Sequence, residues 1–354
     1  MTPMKIGVAL SGGVDSATSL YLLKKEGHDL FALYMKNWEE EKEGVCIAEK
    51  EADDARAVCD LLGIPFYVVN FAEEYWNNVF SFFLKEIEMG HTPNPDILCN
   101  REIKFKVLFE KAKSLGANFL ATGHYCQTHE GHLFKGNDPK KDQSYFLYAV
   151  KQSALKEVLF PIGHLEKDEV RQIAKKANLP VFNKKDSTGI CFIGKRKFKS
   201  FIEKYLPHEP GDILTTDGKK IGTHDGIHYY TIGQRKGMGI GGPGEAWFVA
   251  GKDKESRTLI VAQGENHPAL FAPALFATET SWVADAPTFP LRCKAKVRYR
   301  QVEEPCTVTE EAGKLLVHFD NPQRAITPRQ SVVFYDDETC LGGAIIEKPL
   351  PDLH

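Results

Sequence analysis

The stretch Ser11-Gly12-Gly13-Val14-Asp15-Ser16 carries the residue types of a phosphate site. It joins an apolar run that ends at Leu10 to a helix-periodic segment from Val14 to Glu26. Glycines at such a strand-to-helix junction let a ligand approach the backbone, and the free N–H groups with the helix dipole favour an anion. Ser11 and Ser16 add hydroxyl donors, while Asp15 is placed to orient the loop or to reach a magnesium ion on the phosphates. A tight turn with a Ser or Asp cap is the plainer reading, but a cap requires fewer of these residues. No Walker A pattern occurs. A G-x-G-x-x-G does occur at Gly237, Gly239 and Gly242, yet it follows Arg235-Lys236 in a β-like stretch and lacks the strand–helix setting of a dinucleotide fingerprint.

Two cysteines stand in polar loops rich in special residues. In Thr92-Pro93-Asn94-Pro95-Asp96-Ile97-Leu98-Cys99-Asn100 the prolines stiffen a loop that is expected to deliver Cys99 just ahead of a helix opening near Arg101. A helix N-terminus with Arg101 and Lys104 nearby favours thiolate. In Asp186-Ser187-Thr188-Gly189-Ile190-Cys191-Phe192, Cys191 lies within the basic run Lys184, Lys185, Lys195, Arg196, Lys197 and Lys199. Either one alone is equally well read as a buried loop cysteine. Together they suggest a dithiol that cycles through a disulfide. The other six cysteines form no C-x-x-C and are expected to be small buried hydrophobes; His224 and His228 lack cysteine companions, so no metal site is expected.

Charge is distributed unevenly. The chain of 354 residues carries 45 Lys and Arg against 48 Asp and Glu, a formal net charge of −3. Yet Arg292, Lys294, Lys296, Arg298 and Arg300 recur with period two, so a strand here is expected to turn five bases to one face, toward phosphates rather than merely toward solvent. With 42% hydrophobic and 26% charged residues, the composition excludes disorder, collagen and coiled coil. No apolar run approaches the ~20 residues of a membrane helix, and the N-terminal run is too short for a signal peptide. A soluble, cytoplasmic protein without a membrane partner is expected.

These residues must be positioned by a larger frame. Strand-like runs at Lys5–Leu10, Leu30–Met35, Phe66–Val69 and Asn118–Ala121 alternate with helical segments at Val14–Glu26, Ile47–Leu62, Glu73–Glu88 and Ile103–Leu115. Further helices are expected at Ser153–Val158 and Lys167–Ala177. This alternation predicts βαβ units and a parallel, Rossmann-like sheet over residues 1–200. Residues 201–265 read as a small β-rich domain, glycine- and turn-rich at first. Residues 266–354 read as a C-terminal antiparallel β-barrel of short alternating runs, with no convincing helix.

The loop Ser11–Ser16 resembles the signature of the N-type ATP pyrophosphatases, the pyrophosphate-loop superfamily. Within it the chain is similar to the tRNA-specific 2-thiouridylase family, nearly end to end. The resemblance runs through Met35-Lys36-Asn37-Trp38, Asn94-Pro95-Asp96, Cys99-Asn100, Thr122-Gly123-His124-Tyr125 and Lys141 to Phe146. It continues through Asp186 to Phe192, Tyr230 to Gly237 and Arg298-Tyr299-Arg300. It implies an adenine nucleotide alpha hydrolase-like catalytic domain with ATP, accompanied by magnesium, at Ala9, Leu10, Ser11, Gly12, Gly13, Val14, Asp15, Ser16, Met35 and Gly123. The target base is implied at Asn94, Pro95 and Asp96, with tRNA contacts at His124, Lys141, Asp142, Gln143, Arg298, Tyr299 and Gln330. It further implies Cys99 as nucleophile, Cys191 as persulfide carrier, and as partners a tRNA anticodon stem-loop and a persulfide donor such as a cysteine desulfurase or sulfur carrier. The chain departs from the family pattern at Arg329, where glycine is usual, and at Cys126-Gln127 and Ala344. An amidating ligase of the same superfamily is the rival enzyme; Thr2, where such enzymes have a catalytic cysteine, removes the built-in glutaminase. A non-catalytic RNA-binding protein is the rival outside enzymology, and it leaves the phosphate loop idle.

Overall fold

The computed structural model describes residues 3–38, 47–186 and 198–351. Five parallel strands form the first sheet: Lys5–Ala9 (β1), Asp29–Lys36 (β2), Phe66–Asn70 (β3), Phe119–Ala121 (β4) and, after a hairpin of Cys126–His129 (β5) and His132–Lys135 (β6), Val158–Leu159 (β7). Their order is β3-β2-β1-β4-β7, so the chain reverses direction across the sheet between β1 and β4. Buried on both faces, β1 and β2 are nearly continuous apolar runs, as parallel strands require.

The helix Val14–Lys25 (α1) is buried almost all round, and its polar residues Thr18 and Ser19 return their hydroxyls to the carbonyls of Val14 and Asp15 at 2.8 and 3.0 Å. Ile47–Leu62 (α2) instead shows one apolar stripe, Ala55, Val58, Cys59 and Leu62, set against the same sheet. Two further helices, 72–88 (α3) and 95–114 (α4), each contain a π-helical stretch, at Trp76–Phe80 and Cys99–Leu108. Such widened turns recur at functional sites. Helix Lys167–Lys176 (α5) opens on a capping box of Glu166 and Glu169.

Gly211–Thr215 (β8), Lys220–His224 (β9), Trp247–Asp253 (β10) and Thr258–Gln263 (β11) make a separate four-stranded sheet in the order β10-β11-β8-β9. Around its core of Ile213, Val249, Leu259 and Val261 it folds as a small unit. The last six strands close into an antiparallel barrel: Phe271–Trp282 (β12), Leu291–Lys296 (β13), Glu304–Glu311 (β14), Lys314–Arg324 (β15), Ser331–Asp336 (β16) and Thr339–Leu350 (β17), with β12 pairing both β15 and β17. Hairpin β5–β6 extends this barrel from the parallel-sheet domain, Leu133 pairing Cys340 and Phe134 pairing Thr339.

The architecture is thus the expected parallel-sheet domain, small β domain and antiparallel barrel. Three local expectations are corrected. Val158 opens a strand instead of ending a helix, which spans only Gln152–Leu155. Helix α4 begins at Pro95, well before Ile103, because Asn94 caps it by accepting from Asp96 N–H at 3.1 Å and proline suits the first helical position. The basic strand ends at Lys296, so Arg298 and Arg300 lie in the turn beyond it.

Candidate functional site: a glycine loop joined to a cysteine helix

The loop from Ser11 to Ser16 leaves β1 at the carboxyl edge of the sheet, beside the point where strand order reverses. Ligands of open α/β sheets bind there. Gly12 takes φ +73°, and a Cβ on it would lie 2.3 Å from the Glu51 carbonyl oxygen, so only glycine fits between loop and α2. Gly13 precedes α1 in extended conformation with no side-chain cap, which leaves the first-turn N–H groups to an incoming ligand. Ser16 Oγ accepts from Ser11 N–H at 3.1 Å and donates to the Gly13 carbonyl at 3.2 Å, fixing the turn. From the adjacent strand, Gly123 closes on the same loop; a Cβ there would meet Ser16 N at 2.6 Å. Met35 comes from the end of β2 on the other side of β1, so Ala9, Met35 and Gly123 share one sheet edge.

Asp15 faces an ion network. Lys167 Nζ contacts its two oxygens at 2.6 and 2.8 Å, and Tyr125 donates its hydroxyl to one of them at 2.7 Å. These contacts fix the Asp15 carboxylate, and through it the loop. Lys167 also reaches Asp186 at 2.8 Å, which Lys141 and Arg171 approach at 2.6 and 2.8 Å. Burial works to raise the Asp186 carboxyl, but hydrogen bonds and charge from Lys141 and Lys167 outweigh it and hold the group at about 2. Lys184 joins the loop to α2 by donating to the Gly12 carbonyl at 2.9 Å and pairing with Asp54 at 2.6 Å.

A second chain of contacts runs from Asp186 to the cysteine helix. Lys141, bound to Asp186, offers its carbonyl to the Tyr299 hydroxyl at 3.4 Å. Tyr299 packs on Phe146 with ring centres 4.4 Å apart, and the Phe146 carbonyl accepts from Asn100 at 3.1 Å, beside Cys99. From the loop side, His124 lies 5.7 Å from the Phe105 ring of the same helix. Its Nδ1 meets Thr122 Oγ1 at 2.8 Å, and burial, aided by Lys104, keeps the imidazole neutral, well below its usual range. The glycine–serine loop and the cysteine helix are therefore the two ends of one chain of contacts.

Cys99 itself is a correction. It is 1% exposed and sits a turn inside α4, its N–H bonded to the carbonyls of Pro95 and Asp96, instead of lying in an open loop ahead of the helix. Cys191, with Ser187 to Lys197, lies outside the described residues; Asp186 anchors the chain where that segment begins.

The remaining expected contacts fall into two groups. Asn94, Pro95 and Asp96 form the cap and first turn of α4, and Gln330 reaches across from the barrel to bond the Thr92 carbonyl. Lys141 is joined to Tyr299 as above, and the Gln143 side chain accepts from the Tyr125 N–H at 3.0 Å. Asp142, by contrast, turns its carboxylate inward, accepting from Gly136 N–H, Ser144 N–H and Ser144 Oγ.

The basic face is also corrected. Arg292 pairs with Asp320, Lys294 with Asp337 at 3.2 Å, and Lys296 with Glu303 at 3.3 Å. Arg298 donates to the Ala325 carbonyl at 3.1 Å and to Thr327 Oγ1 at 3.0 Å, and also to the Ile232 carbonyl. Three of the five bases are thus paired with acids brought from elsewhere in the barrel, and Arg298 is spent on carbonyls and a hydroxyl.

Residue reasoning missed Lys167, Tyr125 as the partner of Asp15, and Asp186 as a hub. Tyr125 and Asp186 did lie inside quoted motifs; nothing local marks Lys167. Arg329 was seen only as a departure. It adopts φ +67°, the conformation that favours glycine, and uses it to reach buried Glu86 at 2.9 Å and Glu279 at 2.7 Å. Glu86 in turn meets His91 at 2.7 Å, ahead of Asn94.

A parallel sheet with a glycine–serine loop at its strand-order switch, followed by two β domains, defines a pyrophosphate-loop protein of the HUP type. Family models match it in three successive parts: a "tRNA methyl transferase HUP domain" over residues 4–195, a "tRNA methyl transferase PRC-barrel domain" over 199–263 and an "Aminomethyltransferase beta-barrel domain" over 273–346. A relative from Protochlamydia amoebophila named tRNA-specific 2-thiouridylase MnmA is 56% identical over 351 residues, 97% of this chain and 93% of that protein. One of the same name from Francisella philomiragia subsp. philomiragia is 56% identical over 354 residues, 97% of this chain and 99% of that protein. The chain belongs to the MnmA family of tRNA-specific 2-thiouridylases, a family of sulfur-transferring enzymes. No helix among the described residues is long and apolar enough to cross a membrane.

Proposed function

We propose that the protein is a tRNA 2-thiouridylase that uses ATP to activate the wobble uridine, position 34, of the tRNAs for Lys, Glu and Gln. The observation that carries this reading is the continuous path from Asp15 through Lys167, Asp186, Lys141, Tyr299 and Phe146 to Asn100, beside Cys99. It links a nucleotide loop to a thiol, as adenylation followed by sulfur transfer requires.

In the proposed sequence the Ser11–Ser16 loop and the α1 N-terminus hold the ATP phosphates, with Met35 and Gly123 at the nucleotide. Magnesium bound with ATP would neutralise phosphate charge, while Asp15 orients the loop that holds the phosphates. Asn94, Pro95 and Asp96 receive a uridine taken out of its stack, which costs a few kcal/mol and least in a single-stranded loop. His124, Lys141, Asp142, Gln143, Arg298, Tyr299 and Gln330 belong to the surface around it; for Asp142 and Arg298 the role is to set the backbone that meets the RNA. Uridine O2 attacks the α-phosphate of ATP, pyrophosphate leaves, and C2 then bears AMP as a good leaving group. A persulfide donor loads Cys191. Thiolate at Cys99 attacks the inner sulfur of that persulfide, releasing sulfide that displaces AMP from C2. A Cys99–Cys191 disulfide remains, and an external thiol reduces it.

Nucleoside mass spectrometry of tRNA incubated with protein, ATP and a persulfide donor tests the reading. Two-thiouridine at position 34, with one AMP and one pyrophosphate formed per sulfur, is expected. AMP formation without thiolation, or no tRNA-dependent AMP at all, would overturn it.

A further inference from the structure

At the junction of the three domains lies a cleft of about 400 Å³. Gly90 and Thr92 line it from the catalytic domain, Lys252 from β10, and Thr327 and Pro328 from the barrel. Its position is specific in the chain: Thr92 precedes Asn94 by two residues, and Pro328 precedes Gln330 by two.

Lys252 sets its chemistry. The ammonium donates to the Gly90 carbonyl at 2.8 Å and approaches Thr92 Oγ1 at 3.4 Å. Two of its three donors are thereby turned to the protein, leaving one for the cleft. Among the described residues no carboxylate forms an ion pair with it. Glu347, on the opposite wall, is already paired with Lys314 at 2.8 Å. A largely enclosed cation without a counter-charge is costly, and enclosure lowers this amine to about 7. The protein retains it in a cleft large enough for one nucleotide unit. An anion entering the cleft would supply the missing charge and restore full protonation of the amine.

We propose that this cleft is an anion subsite in which Lys252 receives a backbone phosphate of the bound RNA, next to the loop that takes the target base. The choice of RNA over a free phosphate rests on the function proposed above and on placement. The ATP loop lies at the sheet edge by β1, whereas this cleft exists only where all three domains meet beside the Asn94 cap. Docking of a flanking phosphate here would draw the Gly90–Thr92 turn into its final position, and with it the first turn of the cysteine helix.

The test reads tRNA binding alone, so it can fail while thiolation is confirmed, or succeed where thiolation is absent. Affinity of wild type, Lys252→Met and Lys252→Arg for tRNA is measured across a salt series. A lysine that neutralises one phosphate of a single-stranded segment contributes about 0.7 to the slope of log affinity against log salt. Lys252→Met is expected to lose about that much slope and to bind about 5-fold more weakly near physiological salt, with Lys252→Arg close to wild type. An unchanged slope in Lys252→Met would overturn the proposal. Inorganic phosphate that stabilises the wild type but not Lys252→Met, with tRNA slopes equal, would assign the cleft to a free anion and also overturn it. Should Lys252→Met fail to fold, phosphate-ethylation interference on wild-type protein decides: interference at a phosphate flanking the target uridine is expected, and its absence throughout the anticodon loop refutes the subsite.

Discussion

The two cysteines give the sharpest predictions at the residue scale. Adenylation needs no thiol, so Cys191→Ser is expected to release pyrophosphate with tRNA yet form no thiouridine from a persulfide donor. Cys99→Ser should take up the sulfur and hold it, because the thiolate that cleaves the persulfide is missing. Peptide mass mapping should show one added sulfur on the Cys191 peptide in the Cys99 variant only; sulfur on Cys99 instead would reverse the roles. Cys99 is almost completely buried, so its alkylation in the resting protein should be far slower than in the unfolded chain. Asp186 offers a titration test. Its folded value, about 2, lies below the ordinary 3.8. A carboxyl lowered by folding contributes stability that is full above its unfolded value and lost as pH falls through the folded one. The difference in urea midpoint between wild type and Asp186→Asn should therefore be constant near neutrality and shrink between pH 3.8 and about 2.

At the scale of elements, what matters is how strands and turns are pinned to one another. Arg329 is held in a left-handed conformation by its pairs with Glu86 and Glu279, stapling the turn after β15 to the end of α3. Arg329→Gly relieves the backbone but leaves buried Glu86 with His91 alone, so a net loss of about 2 kcal/mol is expected, recovered in large part by adding Glu86→Gln. Equal losses in single and double variants, read from denaturant midpoints, would remove the pair from the account. Strand β13 gives the opposite expectation. Since Arg292 is committed to Asp320, Arg292→Gln should leave the salt dependence of tRNA binding unchanged, whereas loss of about one phosphate contact's worth of slope would restore the stripe as an RNA face.

Across the whole molecule, the catalytic domain and the barrel share a core. Leu133, Tyr145 and Tyr148 pack in one cluster with Val333, Tyr335 and Cys340. Tyr145 donates to the Ser331 carbonyl at 2.9 Å, and the Tyr148 and Ser331 hydroxyls meet at 3.0 Å. Hairpin β5–β6 completes the link by pairing with β17. These two parts are expected to unfold in one calorimetric transition, with calorimetric and van't Hoff enthalpies in agreement across it. A chain ending at residue 265 should aggregate, because the β6 edge and the tyrosine face lose their cover. Two well-separated transitions for these parts would contradict the shared core.

The sequence by itself determined what depends on neighbours along the chain. The helical segment read over Ile47–Leu62 matches α2 to its observed ends, because helical pattern is local. The strand–loop–helix setting of the glycine–serine loop was legible for the same reason: loop and helix N-terminus are contiguous. Two prolines around Asn94 read as loop, yet the second is a favoured first helical residue, so the start of α4 and the burial of Cys99 were not legible from the local pattern. Only the tertiary structure decided what the charges do. The partners of Arg292, Lys294 and Lys296 come from Asp320, Asp337 and Glu303, and those of Asp15 from Lys167 and Tyr125, all brought together by strand pairing and helix packing across long loops of chain. A period-two row of bases fixes which face they share but not what faces them. Electrostatic interaction depends on distance in space, and that distance is set by the fold rather than by separation in sequence.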